Sequence, residues 1–187
     1  MSATSRLPDP RWHDLVDGQD ELITLLEDWT VGRAVPKSVA DVLSVARSLL
    51  IDSYLTYEYS LVSVTWGLLA LEASLKDCLL SAEEKDRRSF SDLISEAQRL
   101  GLITHDEASA LGIAAALRNR IVHGYLQPKP LLESYSPKHA VAMLESIHNA
   151  VSDLYERALG LARANAHEES ESSSNSTGLR AGAIYHR

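Results

Sequence analysis

The residues with the clearest chemical potential stand in one short string, Arg118-Asn119-Arg120-Ile121-Val122-His123-Gly124-Tyr125. On a helix, Asn119 and His123 are four positions apart and share a face. Arg118 precedes His123 by five positions, which places it about 140° away around a straight helix. A long arginine side chain still brings its guanidinium near the imidazole, the more so where the helix stops at Gly124. Tyr125 stands just past that stop, where the chain can turn its hydroxyl back toward the same place. Such a group suits metal-independent RNA cleavage, in which a ribose 2′-hydroxyl attacks the adjacent phosphate. A histidine titrating near neutrality takes or returns a proton. An arginine meets the charge developing on the phosphate oxygens with paired donors. Asn119 would orient the histidine or contact RNA. The spacing also admits a purely structural account, with Arg118 solvated and His123 at the negative end of a helix dipole. No metal is needed for this chemistry, and no ligand set stands out: His139 and His148 are nine apart, which is not a ligand spacing on one helix face.

The string needs a helix to present it. Thr104-His105-Asp106-Glu107 fits a capping box, with Thr104 accepting from the backbone at Glu107 and Glu107 reaching back. The helix it opens is expected to run to His123, with Gly124 as its C-terminal stop. Ahead of it, 91–100 reads as a short helix ended by Gly101. The pattern Val39, Val42, Leu43, Ala46, Leu49, Leu50 is a helix stripe, and 54–80 is a richer apolar stretch suited to the centre of a bundle. A break is expected at 52–56. Ser136-Pro137 opens a last helix to about Ala164, since serine caps and proline fits the first turn. Its inward positions are Val141, Leu144, Ile147, Val151, Leu154, Ala158 and Leu161.

Between these elements, 81–88 is a polar connection, and Pro128 and Pro130 mark 125–135 as a loop. Near the N-terminus a short amphipathic helix is predicted over 19–29, with Leu22, Leu25, Leu26 and Trp29 on one face. Residues 1–16 read as an irregular lead-in, because Pro8 and Pro10 block regular structure. The tail 166–187 is rich in Glu, Ser and Asn, buries too little apolar surface to offset ordering entropy, and is expected to be disordered. The organisation is therefore an N-terminal extension (1–35), a helical bundle (36–165) and a tail (166–187).

Composition narrows the function. The 187-residue chain carries a formal net charge of −8, which argues against the basic stripe of a general nucleic-acid binder. A few arginines in a cleft still act locally against an acidic background. The single cysteine, Cys78, forms no internal disulfide, reads as a small core residue, and suits a reducing compartment. The first ten residues lack the apolar run of a secretory leader. The most apolar stretch, 61–71, is closed by Glu58 and Glu72, too short for a membrane span of about 20 residues. A cytoplasmic protein without membrane contact is expected.

The string resembles the HEPN signature, an arginine followed by a polar residue and a histidine four to six positions on, here Arg118, Asn119 and His123. With Tyr125 it takes the Arg-x4-His-x-Tyr form of HEPN toxins. Trp66-Gly-Leu-Leu-Ala-Leu-Glu72-Ala-Ser-Leu-Lys76 resembles the second helix of prokaryotic HEPN domains, and the stretch from Phe90 to Ile103 resembles the lead into the motif helix. The resemblance spans roughly residues 40 to 163. It implies an all-α, HEPN-like bundle of about five to six helices that forms a homodimer and joins two motifs across a cleft. It also implies a ribonuclease of toxin or phage-defence type, without cofactor, with Arg118 and His123 catalytic and Asn119, Tyr125 and Glu72 supporting. A nucleotidyltransferase antitoxin partner would modify Tyr125 with AMP. The alternative expectation is a non-catalytic HEPN-like module that dimerises or binds a protein partner.

Overall fold

The computed structural model describes residues 7–79, 88–122 and 136–178, with side chains as far as Asn119 in the fifth helix and Ala164 in the sixth. The chain is all-α. Among the described residues there are six α-helices and no strand: α1 (Gln19–Glu27), α2 (Lys37–Asp52), α3 (Glu58–Leu79), α4 (Phe90–Arg99), α5 (His105–Val122) and α6 (Pro137–Gly178). Among the described residues no helix is long and apolar enough to cross a membrane.

Helix α3 is the axis of the bundle and packs chiefly against α2 and α6. Its buried face carries small residues at helical spacing, namely Ser60, Ser63, Gly67, Ala70 and Ser74, beside Val64, Leu68, Leu71 and Leu75. Small side chains let neighbouring backbones approach. The Ser63 hydroxyl donates to the Ala46 carbonyl of α2 at 2.7 Å, and a Cβ on Gly67 would stand 2.6 Å from Leu144 Cδ1 of α6. Each fully buried leucine at this seam contributes about 1.5–3 kcal/mol.

The elements begin and end where local chemistry directs. Ser89 caps α4 through a capping box with Asp92, and Gly101 follows at φ +72°, a backbone conformation that costs residues with a Cβ about 1–2 kcal/mol. Thr104 and Glu107 form the expected box at the start of α5: Glu107 accepts the Thr104 N–H at 2.6 Å and donates its own N–H to Thr104 Oγ1 at 3.2 Å. The break between α2 and α3 falls at residues 53–57.

Several expectations change. Residues Pro10–Trp12 form a 3-10 turn rather than an irregular lead-in. Trp12 is wholly buried, its indole N–H donates to the Ser53 carbonyl at 2.9 Å, and the Asp9 N–H donates to the Tyr54 carbonyl at 2.8 Å. Proline 10 starts this turn because its missing donor is not needed there. Leu25 and Leu161, expected inward, are 44% and 43% exposed. Helix α6 extends past the expected end near Ala164, to Gly178. Residues 179–187, and most of the 81–88 connection and the 125–135 loop, lie outside the described residues.

Candidate functional site

Arg118 stands in the last described turns of α5 and faces α3. Its Nη2 donates to Glu72 Oε2 at 2.9 Å, and its Nη1 donates to Asn119 Oδ1 at 3.1 Å. The other oxygen of Glu72 accepts from Lys76 Nζ at 2.8 Å, one turn along α3. The side chains of Glu72 and Arg118 are only 13% and 20% exposed. Two cations share one carboxylate, so the cluster keeps a net charge of +1. Arg118 has five N–H donors in all, and its Nε is buried with no partner among the described residues. The guanidinium is thus held at one edge by Glu72, with donor capacity left over. Electrostatically, such a pre-positioned cation suits a phosphate oxygen, and charge-assisted bonds to a carboxylate are stronger than neutral ones.

The structure therefore brings together Arg118, Asn119 and Glu72. His123, Gly124 and Tyr125 lie outside the described residues. Lys76 joins the cluster as a fourth member; its signal in the sequence is the i,i+4 spacing from Glu72 on one helix.

The long-range tie that orients α5 carries no such local signal. Arg157 of α6 grips Glu107 with two bonds of 2.7 and 2.8 Å and donates to the Leu102 carbonyl at 3.1 Å. The Arg157 hydrogen bonds hold the Glu107 carboxyl down at about 2, with the Thr104 backbone N–H adding to the effect. The first turn of α5 is thereby fixed to α6, and the far end of the same helix carries Arg118.

Other titratable groups sort by environment. Burial, and then neighbouring Asp77, push the Cys78 thiol up to about 11, so it is not a thiolate nucleophile at neutral pH. Tyr155 is buried and its hydroxyl donates to Asp77 Oδ2 at 2.9 Å. Burial first and that hydrogen bond second raise its pKa well above the ordinary tyrosine value. His148 is 4% exposed and among the described residues neither ring nitrogen has a partner, at a cost of about 1–3 kcal/mol for each unsatisfied group. Burial, and then the charge of Arg47, hold its imidazole down at about 4. Among the described residues no group of three or more His, Cys, Asp and Glu side chains could hold a metal ion. No family model, curated protein or solved structure matches the chain.

Proposed function

We propose that the chain is a HEPN-type, metal-independent endoribonuclease that works as a homodimer in the cytoplasm, as a toxin or phage-defence effector. The observation that carries the reading is the Arg118–Glu72 contact at 2.9 Å. It joins the motif arginine on α5 to the acidic position that the resemblance assigns to the preceding long helix. The two segments that suggested the family are far apart in sequence and meet at one point. In this mechanism the ribose 2′-oxygen attacks phosphorus and the 5′-oxygen leaves. His123 moves the proton, Arg118 stabilises the phosphate charge, and Asn119 and Tyr125 support them. Histidine acid–base catalysis contributes typically 10²- to 10⁴-fold. A nucleotidyltransferase partner that places AMP on Tyr125 would add bulk and negative charge beside the arginine and silence it.

The test is cleavage of labelled single-stranded RNA by the purified full chain in a chelator, with cyclic phosphate or 3′-phosphate ends as the expected product. His123→Ala is expected to lose about 100-fold or more in rate while keeping its circular dichroism and melting temperature. Equal cleavage by parent and variant rejects the mechanism.

The same contact favours a second reading. Arg118 is already paired with Glu72 and four-fifths covered, as in a structural ion pair inside a non-catalytic dimerisation or protein-binding module. Expression toxicity separates the two. A growth defect relieved by Arg118→Ala and by His123→Ala supports the enzyme, and equal tolerance of all three chains supports the module.

A further inference from the structure

Among the described residues eleven large apolar side chains are left exposed, and four of them stand on α3: Tyr59, Val62, Trp66 and Leu69, each 39–42% exposed. Their spacing is three, four and three. Ala73, also exposed, and Lys76, with 39% of its side chain exposed, continue the series by four and three. At 100° per residue the six positions fall within about 100° of the helix circumference. The opposite face of α3 is the one buried in the bundle. Val45 of α2, exposed as well, is next to Ala46, whose carbonyl takes the Ser63 hydroxyl, and so borders the stripe at Val62. A repeat of three and four is the spacing of a coiled-coil seam, which needs a facing helix.

The series also points to which helix that is. Three-four-three-four-three reads the same in both directions. A second α3 laid antiparallel, with a two-fold axis level with Gly67 and Leu68, therefore meets the stripe at every position. Trp66 then faces Leu69, and Val62 faces Ala73, so a larger side chain meets a smaller one in both inner layers. In the outer layers Tyr59 faces Lys76, whose stem and ammonium both suit an aromatic ring. A parallel pair matches badly: Lys76 would face Lys76, Trp66 would face Trp66, and Ala73 against Ala73 would leave a gap. The two-fold arrangement is the usual one for a pair of identical chains.

We propose that the exposed stripe of α3 docks a second copy of this chain, antiparallel, and that Tyr59 of each copy covers the Lys76 arm of the other's Arg118–Glu72–Lys76 cluster. Each cluster is then completed by a residue of the second copy. Glu72 stands four and a half positions from the axis, so the two clusters lie on one side of the seam, about 14 Å apart along it. This names the contact surface of the homodimer proposed above and rests on that part of the reading alone. It is read from mass and cross-linking, so a chain that pairs this way without cutting RNA keeps it.

The experiment is sedimentation equilibrium of the full chain from micromolar to submillimolar concentration. The expected result is a mass that rises from 20.5 kDa toward twice that value. Half-dissociation is expected in the micromolar range, since a seam one helix wide is below the standard interface of about 800 Å² per partner. Trp66→Glu and Val62→Glu, each at an exposed position, are expected to keep the circular dichroism and to weaken the dimer about tenfold or more, because each buries an unpaired charge. Oxidative cross-linking of Val62→Cys and Ala73→Cys chains reads the register without any glutamate. The mixture of the two is expected to link and neither variant alone, with the parent, which carries Cys78, as the control. A mass of 20.5 kDa at every concentration leaves the stripe to a different protein and overturns the proposal. A dimer indifferent to both glutamate variants, or either cysteine variant linking to itself as readily as the mixture links, overturns it as well.

Discussion

Replacing Glu107 by glutamine removes one charge from the clamp that fixes α5 to α6 while keeping the side chain's size. A carboxyl held at about 2 against an ordinary 4.5 corresponds, at full strength, to about 3 kcal/mol of stability. Solvent weakens that figure, because the Glu107 and Arg157 side chains are 31% and 35% exposed. An exposed pair contributes at most about 1 kcal/mol, and hydrogen bonds to charged groups reach about 1.5–3 kcal/mol. The expected loss for Glu107→Gln at pH 7 is therefore about 1–2 kcal/mol. The folded-state pKa lies below the unfolded one, so the unfolded chain takes up the proton first as the pH falls. The parent's advantage is thus complete above pH 4.5, shrinks as the pH falls toward 2, and vanishes below that. Urea unfolding followed by circular dichroism, for parent and variant in parallel from pH 7 to pH 2.5, measures the difference directly. Contributions from other titrating groups cancel, since both proteins carry them. A difference that is already absent at pH 7, or one that stays constant down to pH 2.5, refutes the reasoning.

Glu72→Gln should cost about 1.5–3 kcal/mol in the same urea assay, because it leaves Arg118 and Lys76 without their shared carboxylate; Asp41→Asn, which breaks the exposed Lys37–Asp41 pair, should cost at most about 0.5 kcal/mol and serves as its internal control. His148→Leu should gain about 1 kcal/mol at pH 7, seen as a melting point about 2–4 °C higher. Its advantage should widen as the pH falls from 6.5 toward 4, where the unfolded parent gains a proton that the buried imidazole refuses. Gly101→Ala should lower stability by about 1 kcal/mol through its positive φ, and a melting temperature equal to the parent's would show that the turn relaxes.

What could be read in the sequence was local. The Thr104–Glu107 box, the Gly101 stop and the Ser136-Pro137 start each depend on residues within one turn of one another, and each appears in the structure. The apolar stripe of α2 fixed which side faces inward for the same reason. Trp12 escaped that reading: two prolines mark a break, but nothing nearby reveals that an indole will find a carbonyl 41 residues on. Leu25 and Leu161 fit their stripes by spacing yet lie where the described residues cover them only in part. At the site, Arg118 and Asn119 were found by type and spacing, and Glu72 through the family resemblance. Their meeting depends on α3 and α5 packing side by side, which periodicity does not encode. Ser89-x-x-Asp92 is a capping box of the same form as Thr104-x-x-Glu107 and could have moved the start of α4 to Phe90.

The docked N-terminal turn sets an order of events during synthesis. Trp12 leaves the ribosome before its acceptor at Ser53, which follows 41 residues later, about 2–8 s at ordinary elongation rates. Gly32 waits longer still, since its amide bonds to the Ser152 hydroxyl 120 residues on, about 6–24 s later. The Trp12 indole and the apolar face of α1 are covered once α2 and Ser53 are made, whereas the Gly32 amide waits for α6. The segment around Gly32 is thus secured late relative to its own synthesis, and α6 is the element that closes the assembly.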